Sequence, residues 1–282
     1  MEYVEFFDSL QSFSETINSR PTNKPFKDYY RDDLPSMRGG DHYTKFSGTE
    51  SFAEADKLML GGDYESLKKL KEVNLPTTIK RDSAYKTQVR KSVCGSLPNV
   101  PLYLRGVPTN MLDFRKTKVP GKTVNMIVNN TTNFLVSAEN IVRVGALIAA
   151  SIKEIEEKGI RVNLYTINPL RGKSKEDKIA LVIRLKKAES PLNMLNIAYV
   201  MVNPSFSRRH CFRFLETIPV KKIDSEFTKR YGFIFSLSEY INQTDDKRLQ
   251  LFKDAIKLSV SDLCEIEDDN EVVSAIISQL KM

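Results

Sequence analysis

The chain has 282 residues, 41% of them apolar and 28% charged, with a net charge of +7, a composition that suits one large globular domain or two small ones without disulfides or structural metals. Three widely spaced cysteines and two histidines exclude a disulfide framework and a His-rich metal site. No leader pattern opens the chain, and the longest apolar stretch, around Val144–Ile152, is broken by Gly145 and Ser151, which excludes a bilayer-spanning run.

Val4, Phe7, Leu10, Phe13 and Ile17 recur at helical spacing, so the spacing predicts a helix over residues 1–20. Residues 20–50 are polar and rich in turn formers, a loop region or ordered arm. Ser51, or Thr49, is placed to cap a helix, with Glu54 completing a capping box and Gly61-Gly62 ending it. A second short helix is expected over DYESLKKLKEV, before Pro76, and a third over 83–94. Residues 1–122 therefore read as an irregular α-rich basic region.

From Thr123 the pattern changes. TVNMIVN is a continuous apolar run, as in a strand covered on both faces. Ser137 is placed to cap a long helix that Gly159 stops. RVNLYTIN and KIALVIRLKK read as strands joined by the polar link PLRGKSKEDK. Ser190 and Asn203 each precede a proline and open further helices, YGFIFS and DAIKLSV read as strands, and TDDKRLQLF and NEVVSAIISQL as helices. The alternation predicts a three-layer α/β sandwich with a mainly parallel sheet over 123–282.

Gly121-Lys122-Thr123 imitates the end of a phosphate-binding loop, but it precedes its strand, whereas such a loop runs from strand to helix. A Pro-Gly turn into the strand is the better reading. At the other end of that strand, Asn129-x-Thr131-x-Asn133 occupies the carboxyl edge where open α/β sheets bind ligands. A hard cation needs an anionic oxygen that this loop lacks, so no metal and no cofactor is expected there, and turn and capping roles are favoured.

Charge is unevenly spread. Lys80 to Lys122 holds ten Lys/Arg against Asp82 and Asp113, a net +8 in 43 residues. Lys86, Arg90, Lys91, Arg115, Lys116 and Lys118 of this stripe are candidates for contact with an anionic partner. A second basic cluster, Arg208, Arg209, His210 and Arg213, shares one helix. Arg208 and Arg209 suit bidentate anion contacts, and internal pairing, for example with Glu216, is the competing structural reading. His210 and Cys211 are sequence neighbours that diverge around a helix and make no nucleophile–base pair. Asp32, Asp33, Asp41 and His42 lack a hydrolase spacing; turn formation is their simpler role.

Three stretches together resemble a domain family encoded mainly by tailed bacteriophages and prophages. They are Phe46 to Ala55; Val100-Pro101-Leu102-Tyr103 with Gly106, Pro108 and Met111; and Asn203-Pro204 with Arg208, Arg209, Phe212 and Glu216. The resemblance implies a sheet similar to von Willebrand factor A (Rossmann-like) domains with a degenerate metal loop, and no known activity. It implies a non-enzymatic phage binding or assembly protein, in virion assembly or DNA handling. The place would be the infected bacterial cytoplasm or the virion, and the partners other phage proteins or nucleic acid, not membrane. Alternatives are a nucleic-acid-processing enzyme and an inhibitor of a host bacterial system.

Overall fold

A computed structural model describes residues 2–73, 85–118, 122–174, 176–219 and 225–279, with residues 85, 86 and 116–118 described by their backbone. Gly121, Lys80 and Arg81 lie outside the described residues. The chain begins with strand β1 (Glu2–Phe7), then helix α1 (Leu10–Ser19), capped by Ser9. The expected helix over 1–20 is thus half strand. Val4 and Phe6 face one side of the sheet and Tyr3 and Phe7 the other, so Val4 and Phe7, spaced as on one helix face, lie on opposite faces of a strand that is apolar on both, and sheet pairing decides.

The polar stretch after it is ordered into α2 (Lys24–Tyr30), a 3₁₀ turn (Pro35–Met37) and α3 (Asp41–Ser47). α4 (Phe52–Gly61) starts at Ser51, whose hydroxyl accepts the Glu54 N–H at 3.1 Å; Glu54 reaches back to the Glu50 N–H at 2.7 Å. α5 (Tyr64–Lys71) is capped by Asp63. The next segment is β2 (Tyr85–Ser92), β3 (Leu97–Pro98), α6 (Val100–Leu104) and β4 (Met111–Lys118). Here the expected helix over 83–94 is corrected to a strand over its described part: Tyr85, Thr87 and Val89 alternate with polar residues, and β4 supplies the partner.

The second half follows its pattern closely. β5 (Thr123–Asn129) leads to α7 (Ala138–Glu157), whose N-cap Ser137 accepts the Asn140 N–H. β6 (Arg161–Arg171) and β7 (Lys178–Lys186) form an antiparallel hairpin, so part of the expected link, Pro169-Leu170-Arg171, is strand. α8 (Met194–Val202) is capped by Asn193 rather than Ser190. Asn203 then accepts the Ser205 N–H, as expected, and a π-helical turn (Phe206–His210) runs into α9 (Cys211–Thr217). Last come α10 (Ser225–Arg230), β8 (Phe233–Ile234), α11 (Leu237–Gln243), α12 (Lys247–Gln250), β9 (Ile256–Ser259), α13 (Val260–Leu263) and α14 (Asp269–Ser278).

The main sheet runs β1-β7-β6-β5-β9, with β8 beside β6. β1–β7, β5–β6 and β5–β9 pair parallel, β6–β7 and β6–β8 antiparallel. β5 is interior, as its apolar run requires. Met126 and Val128 join the larger core with α1, α4, α5, α7, α8, α9 and α14; Ile127 faces the smaller core under α11 and α12. This is a three-layer α/β fold. Residues 2–73 are part of the α/β body, because β1 is a strand of the sheet and Phe13, Ile17, Phe52 and Met59 sit in its core. Among the described residues no helix is long and apolar enough to cross a membrane.

One segment stands apart. β2, β4 and β3 make their own antiparallel three-stranded sheet. None of the described side chains from 87 to 115 enters either core. We call this segment the arm.

Candidate functional site

Three places carry the residues singled out by sequence: the loop after β5, the π-helical turn, and the arm. In the loop, the side-chain oxygens of Asn129, Thr131 and Asn133 each accept a hydrogen bond, whereas Asn130 Oδ1 is buried without a partner. Asn129 Oδ1 accepts the Thr131 N–H at 2.9 Å and Asn133 Oδ1 accepts the Leu135 N–H at 3.1 Å. Thr131 Oγ1 accepts from Asn168 Nδ2 at 3.3 Å, and Asn130 Nδ2 donates to Val200 O at 2.9 Å. These are side chains substituting for backbone partners in a tight turn. Beyond them, Phe134 and Leu135 are each 76% exposed.

The π-helical turn explains Arg208 and Arg209, and it corrects the expectation that they meet a partner. The Cys211 N–H reaches back five residues to Phe206 O, widening the helix so that Arg208, Arg209 and His210 are all buried. Arg209, fully buried, donates to Ser36 O (3.1 Å), Arg38 O (2.8 Å) and Thr49 O (2.7 Å). Arg208 donates to Phe46 O at 2.7 Å and to Val136 O, with its guanidinium 4.0 Å from the Phe46 ring centroid. The acceptors are the backbone carbonyls of residues 36–49 and of the loop before α7. Burial pushes the Arg208 guanidinium down to about 10, so it stays charged at neutral pH, and it lowers Arg209 too. These arginines tie the irregular N-terminal segment to the sheet domain and are closed to a ligand.

Their neighbours are also internal. Glu216 accepts hydrogen bonds from the Ser36 N–H (3.1 Å), the Ser36 hydroxyl and the Tyr231 hydroxyl (2.7 Å), with Arg213 at 3.7 Å; burial raises its carboxyl. Ser14 Oγ donates to Asp56 Oδ1 at 2.7 Å, Asp56 stands 3.5 Å from His210 Nε2, and His210 Nδ1 meets the Tyr199 hydroxyl at 3.1 Å. The order of groups imitates a catalytic relay. However, His210 and Tyr199 are wholly buried, packed against Phe13, Phe52 and Phe206, so no substrate atom can approach the imidazole. Asp33 pairs with Arg38 at 2.8 Å and Asp41 opens α3. No group of three His, Cys, Asp or Glu able to hold a metal occurs among the described residues.

The arm is different in kind. Its 34 residues carry seven Lys/Arg against Asp113, a net +6 of the chain's +7. No residue of the arm whose side chain is described is buried. Register places Val89, Lys91, Leu97, Leu112, Phe114 and positions 116 and 118 on one face, and Gln88, Arg90, Asp113, Arg115 and position 86 on the other. The expected stripe is therefore split between two faces of one small sheet. Of the apolar residues that accompany this charge, sequence reasoning singles out only Tyr103 among those whose side chains are described. Val89, Val93, Leu97, Val100, Tyr103, Leu104 and Phe114 are exposed, Tyr103 at 66% and Leu104 at 78%. The alternation of β2 and β4 was the available signal. Gly95 is required for the tight return: a Cβ there would lie 2.4 Å from Leu112 O.

Residues 1–262 match the family described as a domain of unknown function, DUF7192, and the chain belongs to it. No curated protein and no solved structure matches the chain. The family match runs through residue 122, in keeping with the way β1 completes the sheet.

Proposed function

We propose that this DUF7192 member acts by docking, with the α/β body as platform and the arm as the element that meets an acidic protein surface. The observation that carries this is the arm's combination of net charge +6, seven exposed large apolar side chains and, among its described side chains, no share in either core. A small antiparallel sheet with no fully buried side chain among those described is marginal alone. Covering it contributes about 1.5–3 kcal/mol for each large apolar side chain fully buried, part of which offsets the cost of association. Exposed apolar patches of this kind mark interaction sites, and the basic rim selects an acidic counterpart and speeds encounter.

A protein surface is favoured over nucleic acid because five of the seven exposed apolar residues are aliphatic. Single-strand binding draws on aromatic faces that stack on bases, and aliphatic side chains offer none. The resemblance of the three motifs to phage-encoded domains supports a role in virion assembly or DNA handling inside an infected bacterium. A degenerate von Willebrand factor A-like platform is in keeping with Asn129 and Asn133, whose side-chain oxygens accept backbone N–H groups.

The test is fluorescence anisotropy with three labelled probes: a glutamate–tyrosine copolymer, poly-glutamate and single-stranded DNA. The copolymer should bind tightest, and binding should weaken as salt rises. The triple variant Arg90→Glu, Lys91→Glu, Arg115→Glu should lose it. Equal binding of wild type and variant would overturn the reading, and preference for DNA would replace the acidic protein with nucleic acid.

A further inference from the structure

We infer that the acidic surface taken by the arm belongs to a second copy of this chain, an inference that rests on the arm's docking role. The complementary surface is built from two segments joined at the start of α7. One is the loop that ends in exposed Phe134 and Leu135, just before the N-cap Ser137. The other is the segment from Val260 to Gln279. Asn140 donates to Cys264 O at 2.9 Å, and Arg143 donates to Ile266 O at 2.7 Å and Glu267 O at 3.1 Å. The first turns of α7 thus hold the acidic segment beside the apolar pair.

The charge of this segment mirrors the arm. Residues 260–279 contain Asp262, Glu265, Glu267, Asp268, Asp269 and Glu271 and no Lys or Arg, a net −6 against the arm's +6. All six acids are exposed. Only Asp269 is paired among the described residues, with Arg143 at 2.6 Å. Each surface therefore has what the other lacks: an apolar pair with acids here, an apolar sheet with bases on the arm. The two surfaces are different patches, so the contact is heterologous. Arm-to-patch docking propagates head to tail and yields a ring or an open chain of copies. Because the six acids and the described basic side chains Arg90, Lys91, Arg105 and Arg115 are solvent-exposed, the contact weakens with salt, and the apolar residues sustain it at moderate ionic strength.

Sedimentation velocity of the full chain over a range of concentrations tests this, with a charge-swap pair. The first variant is Arg90→Glu, Lys91→Glu, Arg115→Glu. The second is Glu265→Lys, Glu267→Lys, Glu271→Lys, which leaves the Asp268 cap and the Asp269 pair intact. The wild type should sediment faster as concentration rises, and less so at high salt. Each variant alone should remain monomeric, with self-association weakened by about tenfold or more. An equimolar mixture should recover association, because each reversed surface then meets a complementary one. Unchanged melting curves establish that the variants fold. A wild type monomeric at every concentration, variants that self-associate like wild type, or a mixture that stays monomeric would each overturn the inference. If the wild type is monomeric while the arm variant still loses the glutamate–tyrosine copolymer, the docking role stands and only the second copy falls. If the arm variant keeps the copolymer, the docking role falls as well.

Discussion

Replacing Arg209 with methionine removes a fully buried guanidinium while filling most of its volume. Three carbonyls, of Ser36, Arg38 and Thr49, then lose donors at 3.1, 2.8 and 2.7 Å. Hydrogen bonds to a charged group contribute about 1.5–3 kcal/mol each. The desolvation of the guanidinium itself offsets a large part of that sum. Deleting one partner of a buried charged network usually costs about 3–5 kcal/mol, and that is the expected loss here. At roughly 2 °C per kcal/mol for a chain of this size, the melting temperature should fall by about 6–10 °C. Arg209→Lys should fall between, since one ammonium cannot span three carbonyls set around a planar fork. Urea and thermal unfolding measure the loss, and copolymer binding below the melting transition should stay at the wild-type level. A loss below about 1 kcal/mol, or a selective loss of binding with stability intact, would refute the assignment of Arg209 as a structural tie.

Other consequences are equally specific. Gly145 lets α7 approach α8, since a Cβ there would lie 1.8 Å from Met201 O; Gly145→Ala should cost about 3 kcal/mol or more, and an unchanged urea midpoint would contradict the packing. Asn129→Asp places a carboxylate in a buried site, which raises its pKa above the unfolded value. The penalty of about 3 kcal/mol should be present at neutral pH and relieved as pH falls through that raised value. Mg²⁺ should not restore the melting temperature, and a Mg²⁺-dependent rise would show that the loop retains metal affinity. Burial lowers the His210 pKa below 6.5, so the unfolded state binds the proton first. Stability should therefore fall as pH drops below about 6.5, by at most about 1.4 kcal/mol per pH unit for this proton. His210→Phe should flatten the urea-midpoint profile in that window, and an identical slope in the variant would place the titration elsewhere.

The second half of the fold was legible because its signals are local. The apolar run Thr123–Asn129, the Ser137 cap and the Gly159 stop each specify a structure within a few residues, and each appears where expected. In the first half the Ser51-capped α4 and the following α5 appear where expected, but the strands were not legible, because they are set by distant partners. β1 is a strand because β7 lies beside it, although Val4, Phe7 and Leu10 fit a helix equally well. β2 owes its form to β4. Burial of Arg208 and Arg209 was out of reach for a different reason. The π-helical turn that directs both side chains inward depends on carbonyls some 160–170 residues earlier, a separation that helical spacing cannot report. The basic character of the arm was visible in composition; its apolar exposure was not, since exposure depends on what the sheet packs against.

The central claim is that the arm, not the carboxyl edge of the sheet, is where this protein meets its partner. Amide hydrogen exchange with and without the glutamate–tyrosine copolymer, at dilute protein and low salt, tests it most directly. The account predicts slower exchange across Tyr85–Ser92 and Met111–Lys118, with β5, its following loop and α9 unchanged. Protection confined to Asn129–Val136, with the arm exchanging as fast as in the free chain, would contradict it.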